Sequence, residues 1–247
     1  MQKRHCIILL LVLIFSCSKR STEKEILVEA KLEMNIPIAE KMRFKFYADS
    51  SYIFSVERME FNHKIAEEFS GRCFLKNDTI IFNPFPFKYI ETEKAVIKNG
   101  FIDFLIENSV WRLEITKNET HIKNKLNFDK LNDYAIFPYT SSIKSEYVSH
   151  ELNQHELELT KKLVISSFEE NKSHVKKESD YFKQCVAVKN AQNEIEVWVN
   201  CFCKTSFRKD DFKFRLINMD DGGKCNILVK LNVTKDKIIQ FNIAGRG

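Results

Sequence analysis

Past its first residues the chain lacks any hydrophobic run long enough to cross a membrane. A spanning helix needs ~18 or more apolar residues in a row, and nothing after residue 16 approaches that. The rest of the chain is therefore expected to be soluble. Charge of one sign is also lacking. Lys and Arg number 39 against 34 Asp and Glu, a formal +5 to which Lys3 and Arg4 contribute two. With no basic run, that balance excludes the electrostatic footprint of a nucleic-acid binder. Cysteine is sparse. After Cys6 and Cys17 only Cys73, Cys185, Cys201, Cys203 and Cys225 remain. That is too few for a disulfide scaffold, and an odd number leaves at least one unpaired in an exported protein. Which of the five are oxidised is left open by the sequence. There is no GxGxxG, no P-loop and no GxSxG.

What is present begins at the N-terminus, MQKRHCIILLLVLIFSCSKR. Lys3, Arg4 and His5 form a charged segment, and residues 6–15 are apolar. As a helix those ten residues span about 15 Å, roughly half a bilayer core, which suits a secretory signal rather than an anchor. Ser16 is the small residue that cleavage requires, and Cys17 follows it. Leu13, Ile14, Phe15, Ser16 and Cys17 resemble the bacterial lipobox. The resemblance implies cleavage before Cys17 and diacylglycerol on its sulfur. At ~0.8 kcal/mol per buried methylene, two or three acyl chains suffice for lasting attachment. Residues 1–16 are thus expected to be a signal peptide and 17–24 a lipidated tether. No acidic run follows Cys17, so the expected location is the cell envelope, at the outer membrane facing the periplasm.

Residues 25–122 read as strands. Residues 52–56 are β-rich; residues 73–75 and 79–82 flank a turn at 76–78; and Asn99-Gly100 between 95–97 and 101–104 is a strong hairpin signal. Pro84 and Pro86 break any strand between them. The expectation is an antiparallel meander, a sandwich or a barrel-like sheet. Residues 123–149 are polar and irregular and are expected to be a linker. One amphipathic helix is expected over about 151–170. Leu152, Leu159 and Leu163 share one stripe and Leu157, Val164 and Phe168 the next, with Ser149 or His150 as cap.

The remainder, 150–247, is expected to be that helix lying on a five-stranded antiparallel sheet, so the fold class is mostly β with an α+β C-terminal domain. A turn at 190–193 sets Val188 opposite Ile195, Val186 opposite Val197 and Phe182 opposite Cys201, with Gln184 alone out of place. A second turn centred on Asp221-Gly222 sets Leu216 opposite Ile227, Phe214 opposite Val229 and Phe212 opposite Leu231. A third at 235–237 sets Leu231 opposite Phe241. The run Tyr181-Phe182-Lys183-Gln184, the stretch from Val197 through Cys203, the turn Asp221-Gly222-Gly223 and the ending Asn242-Ile243-Ala244-Gly245 resemble a group of short Bacteroidetes-type lipoproteins of unknown function. The resemblance covers roughly the last 95 residues. A helix on a curled sheet also resembles the cystatin-like and NTF2-like architectures. No catalytic residue, cofactor or metal is implied by either likeness.

Cys201 and Cys203 lie two apart on one strand, with Cα atoms about 7 Å apart, the outer limit for a disulfide, so they are not expected to bond each other. In the register above Cys185 falls on the opposite face. The two thiols continue the stripe of Ile195, Val197 and Val199, so core packing is expected of them rather than zinc, which needs four convergent ligands. His150 and His155 are five apart, about 140° around a helix, and cannot act as a HExxH pair. The acids of Asp220-Asp221-Gly222-Gly223 read as turn residues. Tyr181, Trp198 and Phe202 are the candidate interaction surface on the sheet's second face. The expected function is a membrane-anchored envelope binding module with an envelope protein as partner and no cofactor. An alternative is a small-ligand-binding or hydrolytic enzyme using a pocket between helix and sheet.

Overall fold

The computed structural model describes residues 24–34, 40–61, 63–83, 85–87, 90, 92–106, 109–123, 125–126, 131–140, 146–206, 211–217, 219 and 221–245. The signal segment, Cys17 and most of the tether lie outside the described residues. The fold is mostly β, with an antiparallel first half and a helix on a sheet in the second, as the sequence leads one to expect.

The first half closes on itself. Strands β1 (Ile26–Met34), β2 (Glu40–Tyr47), β3 (Ser51–Glu60), β4 (His63–Lys76), β5 (Thr79–Phe82), β6 (Lys94–Lys98), β7 (Phe101–Ile106) and β8 (Ser109–Asn118) follow one another around a barrel. Strand β8 returns to β1, with Ala30 opposite Ile115. The expected hairpins are present. Asn77 turns β4 into β5, and Asn99-Gly100 turns β6 into β7, with φ of 56°, 51° and 80°. Asn and Gly tolerate that left-handed backbone best.

Alternation makes the barrel a packed core. Val28, Ala30 and Leu32, then Met42, Phe44 and Phe46, then Tyr52, Phe54 and Val56 all point inward and are buried. The described residues of the proline-containing stretch after β5 form no strand, as expected, but the stretch is not idle. It turns Phe85, Phe87 and Ile90 into the barrel. The Phe85 ring lies 4.7 Å from Phe82 and 5.0 Å from Phe54. An eight-stranded barrel is just wide enough for side chains to fill it, and here aromatic rings do so. Gly71 is needed because Tyr52 lies across it; a Cβ there would sit 2.8 Å from the tyrosine oxygen.

The second sheet has six strands and is mixed, not a five-stranded antiparallel set. The stretch expected as linker contributes β9 (Tyr134–Phe137) and β10 (Val148–Ser149). Both pair with β11 (Tyr181–Lys189), β9 in parallel and β10 antiparallel. Then come β12 (Ile195–Cys203), β13 (Asn226–Asn232) and β14 (Lys237–Ile243), each antiparallel to the last. Helix α1 (Gln154–Glu170) covers one face. Its cap is Asn153, whose Oδ1 accepts from Glu156 N at 3.0 Å while Glu156 Oε2 accepts from Asn153 N at 2.8 Å. This reciprocal box outcompetes Ser149 and His150 for the role and starts the helix at 154, three residues late.

The β11–β12 register differs by one residue from the expectation. Val188 faces Glu196, Val186 faces Trp198 and Phe182 faces Phe202. The loop holds one more residue because Asn190 Oδ1 accepts from both Gln192 N and Glu194 N and closes the longer turn. A one-residue slip exchanges the faces. Tyr181, Lys183, Cys185 and Ala187 therefore point toward the helix, and Phe182, Gln184 and Val186 away from it. Alternation misled here because β11 is buried on both faces, as inner strands often are.

The expected strand at 212–216 is also absent. Strand β12 pairs directly with β13, Val199 opposite Val229. The described residues between β12 and β13 lie outside the sheet; they make a 3-10 turn at Asp211–Lys213 and bridge Arg215 to Trp111 of β8. Asp221 and Gly222 lead into a second 3-10 turn, Gly223–Cys225, and form no hairpin. In the last hairpin a bulge sets Leu231 opposite Ile238 and Val229 opposite Phe241.

The barrel and the sheet meet around Arg112 of β8, which is 2% exposed. Its Nε lies 2.9 Å from Asp103 Oδ1, and its Nη2 donates to Asp103 Oδ2 at 3.2 Å and to Ile136 O of β9 at 2.8 Å. The guanidinium stacks 3.8 Å from the Phe137 ring centroid and 4.7 Å from that of Phe101. Burial pushes the Asp103 carboxyl up and the Arg112 guanidinium down, and each partner opposes the shift of the other. Arg112→Met leaves Asp103 buried without its partner and is expected to cost about 3–5 kcal/mol in urea unfolding. The double variant Arg112→Met with Asp103→Leu is expected to recover most of that. Equal losses in the two would refute this account of the junction.

Candidate functional site

The three aromatics expected on one surface are dispersed. Tyr181 is 0% exposed and Phe202 1% exposed, and they lie on opposite faces of the sheet. The Tyr181 hydroxyl points to the 3-10 segment and donates to Lys224 O at 2.6 Å. Phe202 is paired with Phe182, whose ring stacks on Phe212 at 4.3 Å. Both are packing residues. Trp198 alone borders an open surface.

That surface is a groove of about 560 Å³ on the face away from α1. Its floor is Val186, Trp198, Asn200 and Leu228; Pro138 and Tyr139 line it before β10, and Leu216 and Ile217 line it from the excursion. Tyr139 and Tyr147 meet Trp198 edge to face, with centroids at 5.6 and 5.1 Å. Lys230 Nζ lies over the Trp198 and Tyr147 rings and 3.0 Å from Glu196 Oε2. Burial alone would lower the Lys230 pKa, but Glu196 and Tyr147 outweigh it and raise it. Burial alone would raise that of Glu196, but Asn190 and Lys230 outweigh it and lower it. The pair is therefore charged and mutually neutral. The groove offers aromatic and aliphatic surface with its one lysine already matched.

Gln184, the residue that fitted no stripe, shapes this groove. Its Nε2 donates to Phe212 O and Arg215 O at 2.6 and 2.7 Å, and its Oε1 accepts from Ile217 N at 2.8 Å. It therefore fixes the backbone that carries Leu216 and Ile217. A second concavity of about 340 Å³ lies between the barrel and the second sheet, lined by Asn99, Phe101, Arg112, Glu114, Leu131 and Ile136 among others. Nothing in the sequence pointed to it, because its walls come from residues distant along the chain.

The cysteines divide. Cys203 bonds Cys225, with Cα atoms 4.7 Å apart, which corrects the expectation that Cys203 is packing material alone. Cys225 lies in the 3-10 turn that precedes β13, not on an extended strand, and this brings it to the end of β12. Cys201 is a free, buried core thiol, as expected, and does not bond Cys203. Cys185 shares the helix-side core with it instead of lying on the far face. Burial pushes Cys73 and Cys185 up to about 12 and raises Cys201 too. Thiols so shifted stay protonated at neutral pH, which disfavours attack by the thiolate.

Lys183, opposite Cys201, is buried on the helix side and pairs with Glu178, which also accepts from Tyr134 Oη at 3.2 Å. The space expected to hold a pocket between helix and sheet is filled by Leu157, Val164, Phe168, Val199 and Val229. His150 bonds Glu156 Oε2 at 3.0 Å ahead of the helix, and His155 is exposed on it. Among the described residues no group of three or more His, Cys, Asp and Glu is placed to hold a metal. No family model, curated protein or solved structure matches the chain.

The disulfide closes 22 residues, which corresponds to about 3 kcal/mol of chain entropy. Reduction is expected to lower unfolding stability by about that amount. An aromatic disulfide reagent should find Cys73, Cys185 and Cys201 only after denaturation. Rapid labelling of any of them in the native protein would contradict the burial described.

Proposed function

We propose that this chain is a lipid-anchored cell-envelope binding protein. The N-terminal segment that ends at Ser16-Cys17 supports export and anchoring. The Cys203–Cys225 bond supports an oxidising compartment, since such bonds are rare where thiols are kept reduced. On this reading the protein faces the periplasm from the outer membrane, held by Cys17.

The groove at Trp198 carries the binding assignment. Trp and Tyr dominate the energetics of protein contacts, and a rigid aromatic bed loses little entropy on binding. Neutral lining, with Lys230 balanced by Glu196, suits an uncharged apolar or aromatic segment of an envelope protein. The barrel, filled with phenylalanine, serves as scaffold.

Radiolabelled palmitate is expected to mark the wild-type chain in cells and to miss Cys17→Ala. A photocrosslinking residue at Thr140, on the groove rim, is expected to form one adduct that mass spectrometry identifies as an envelope protein. Trp198→Ala should abolish the adduct while leaving the melting temperature within a few degrees. Labelling of Cys17→Ala would remove the anchor. An adduct indifferent to Trp198→Ala would remove the groove from the account.

A further inference from the structure

We propose that the barrel wall around Phe74 docks on an anionic phospholipid surface. The inference rests on the reading of Cys17 as the anchor and adds which side of the barrel meets the bilayer. It does not depend on the groove at Trp198.

Alternation along β4 builds this wall. Phe69, Cys73 and Leu75 turn into the barrel cluster, so Arg72, Phe74 and Lys76 point outward, and all three are exposed. Strand pairing extends them into rows. Phe74 lies opposite Ile81 and Ile81 opposite Lys94; Lys76 lies opposite Thr79 and Thr79 opposite Val96. Phe74 is 58% exposed, and Ile81 and Val96 are half-buried beside it. A phenylalanine ring backed by two aliphatic side chains is thus bordered by three cations.

Those cations are uncompensated. Among the described residues Arg72, Lys76 and Lys94 have no ion-pair partner. The neighbouring acids are engaged elsewhere. Asp49 takes Lys24 at 2.9 Å, Glu29 takes Lys45 at 3.5 Å, and Asp78 acts on Lys125. Glu93, just before β6, offsets one charge and leaves the patch positive. Apolar side chains flanked by unpaired cations suit an interface of lipid phosphates above acyl chains, which takes up the ring and matches the charge together.

The path of the chain selects lipid over a soluble partner. Lys24, the first described residue, sits at this end of the barrel. Its Nζ donates to Ser51 Oγ at 2.9 Å, and Ser51 lies opposite Arg72. Between Cys17 and Lys24 the chain extends at most about 25 Å, so an anchored Cys17 holds the Phe74 end close to the bilayer. Phe61 is 91% exposed but lies beyond the far end of β3, about 30 Å further on. The acyl chains already supply attachment. The patch therefore supplies orientation, turning the β4–β6 wall to the lipid.

The test places a benzophenone amino acid at position 74 of the lipidated chain, in vesicles of phosphatidylethanolamine and radiolabelled phosphatidylglycerol. Illumination is expected to give a phosphatidylglycerol adduct, and at least about fivefold less when the same residue replaces Phe61. Each basic side chain near an anionic surface contributes about a fivefold preference. Arg72→Gln, Lys76→Gln and Lys94→Gln together are therefore expected to cut the adduct at 74 at least about fivefold with the melting temperature unchanged. Raising salt from about 0.1 M to about 1 M should do the same. Equal labelling at 74 and 61, or an adduct at 74 indifferent to the triple variant, would overturn the proposal. Palmitate on the wild-type chain without a lipid adduct at 74 removes the docking alone, whereas a chain that takes no palmitate removes the anchor and the docking with it.

Discussion

A guanidinium withdrawn from water has to be satisfied by its surroundings, and the surroundings of Arg112 come from two separate pieces of chain. Asp103 on β7 provides the countercharge, Ile136 on β9 a carbonyl, and Phe101 and Phe137 the ring faces. Satisfying it brings β9 against the barrel wall. Strand β9 runs parallel to β11, so the same contact sets where the second sheet begins. A buried ion pair adds little net stability compared with apolar packing. Its contribution here is position, since few other arrangements of the two halves would leave both charges paired.

Strand β11 inherits the consequence. With the barrel on one side and α1 on the other it is buried on both faces over most of its length, and its buried polar residues need partners inside. Lys183 finds Glu178 on the helix side. Gln184 finds three backbone groups of residues 212–217 on the barrel side. That segment sends Phe212 against Phe182 and Phe214 into the barrel cluster. It then lines the groove with Leu216 and Ile217. Junction and groove are thus built from the same stretch of backbone, and the Cys203–Cys225 bond closes its base.

The two concavities differ in chemistry because they differ in origin. The groove lies on the part of that sheet face which the barrel does not reach, so it is open, aromatic and matched in charge. The cleft lies where barrel and sheet meet imperfectly around buried polar groups, so it is the less open of the two. The barrel interior offers neither, since Phe85 and Phe87 occupy it.

Short-range signals were legible in the sequence. The Asn-Gly hairpin, the apolar stripes of α1, the odd-numbered stripe of β12 and the β-rich first half each depend on neighbours a few residues apart. Periodicity and turn chemistry report such neighbours directly. Closure of β8 onto β1, the crossover of β9 to β11, the pairing of Cys203 with Cys225 and the environment of Arg112 join residues distant in sequence. Strand β11 shows why pattern alone could not supply them. Alternation reveals register only when one face meets water, and β11 is buried on both faces along most of its length, so Gln184 looked misplaced on a face it does not occupy. The sequence by itself determined the β-rich first half with its Asn-Gly hairpin and the apolar faces of α1 and β12. The tertiary structure decided which faces are shared, because burial on both sides of a strand removes the contrast from which faces are read.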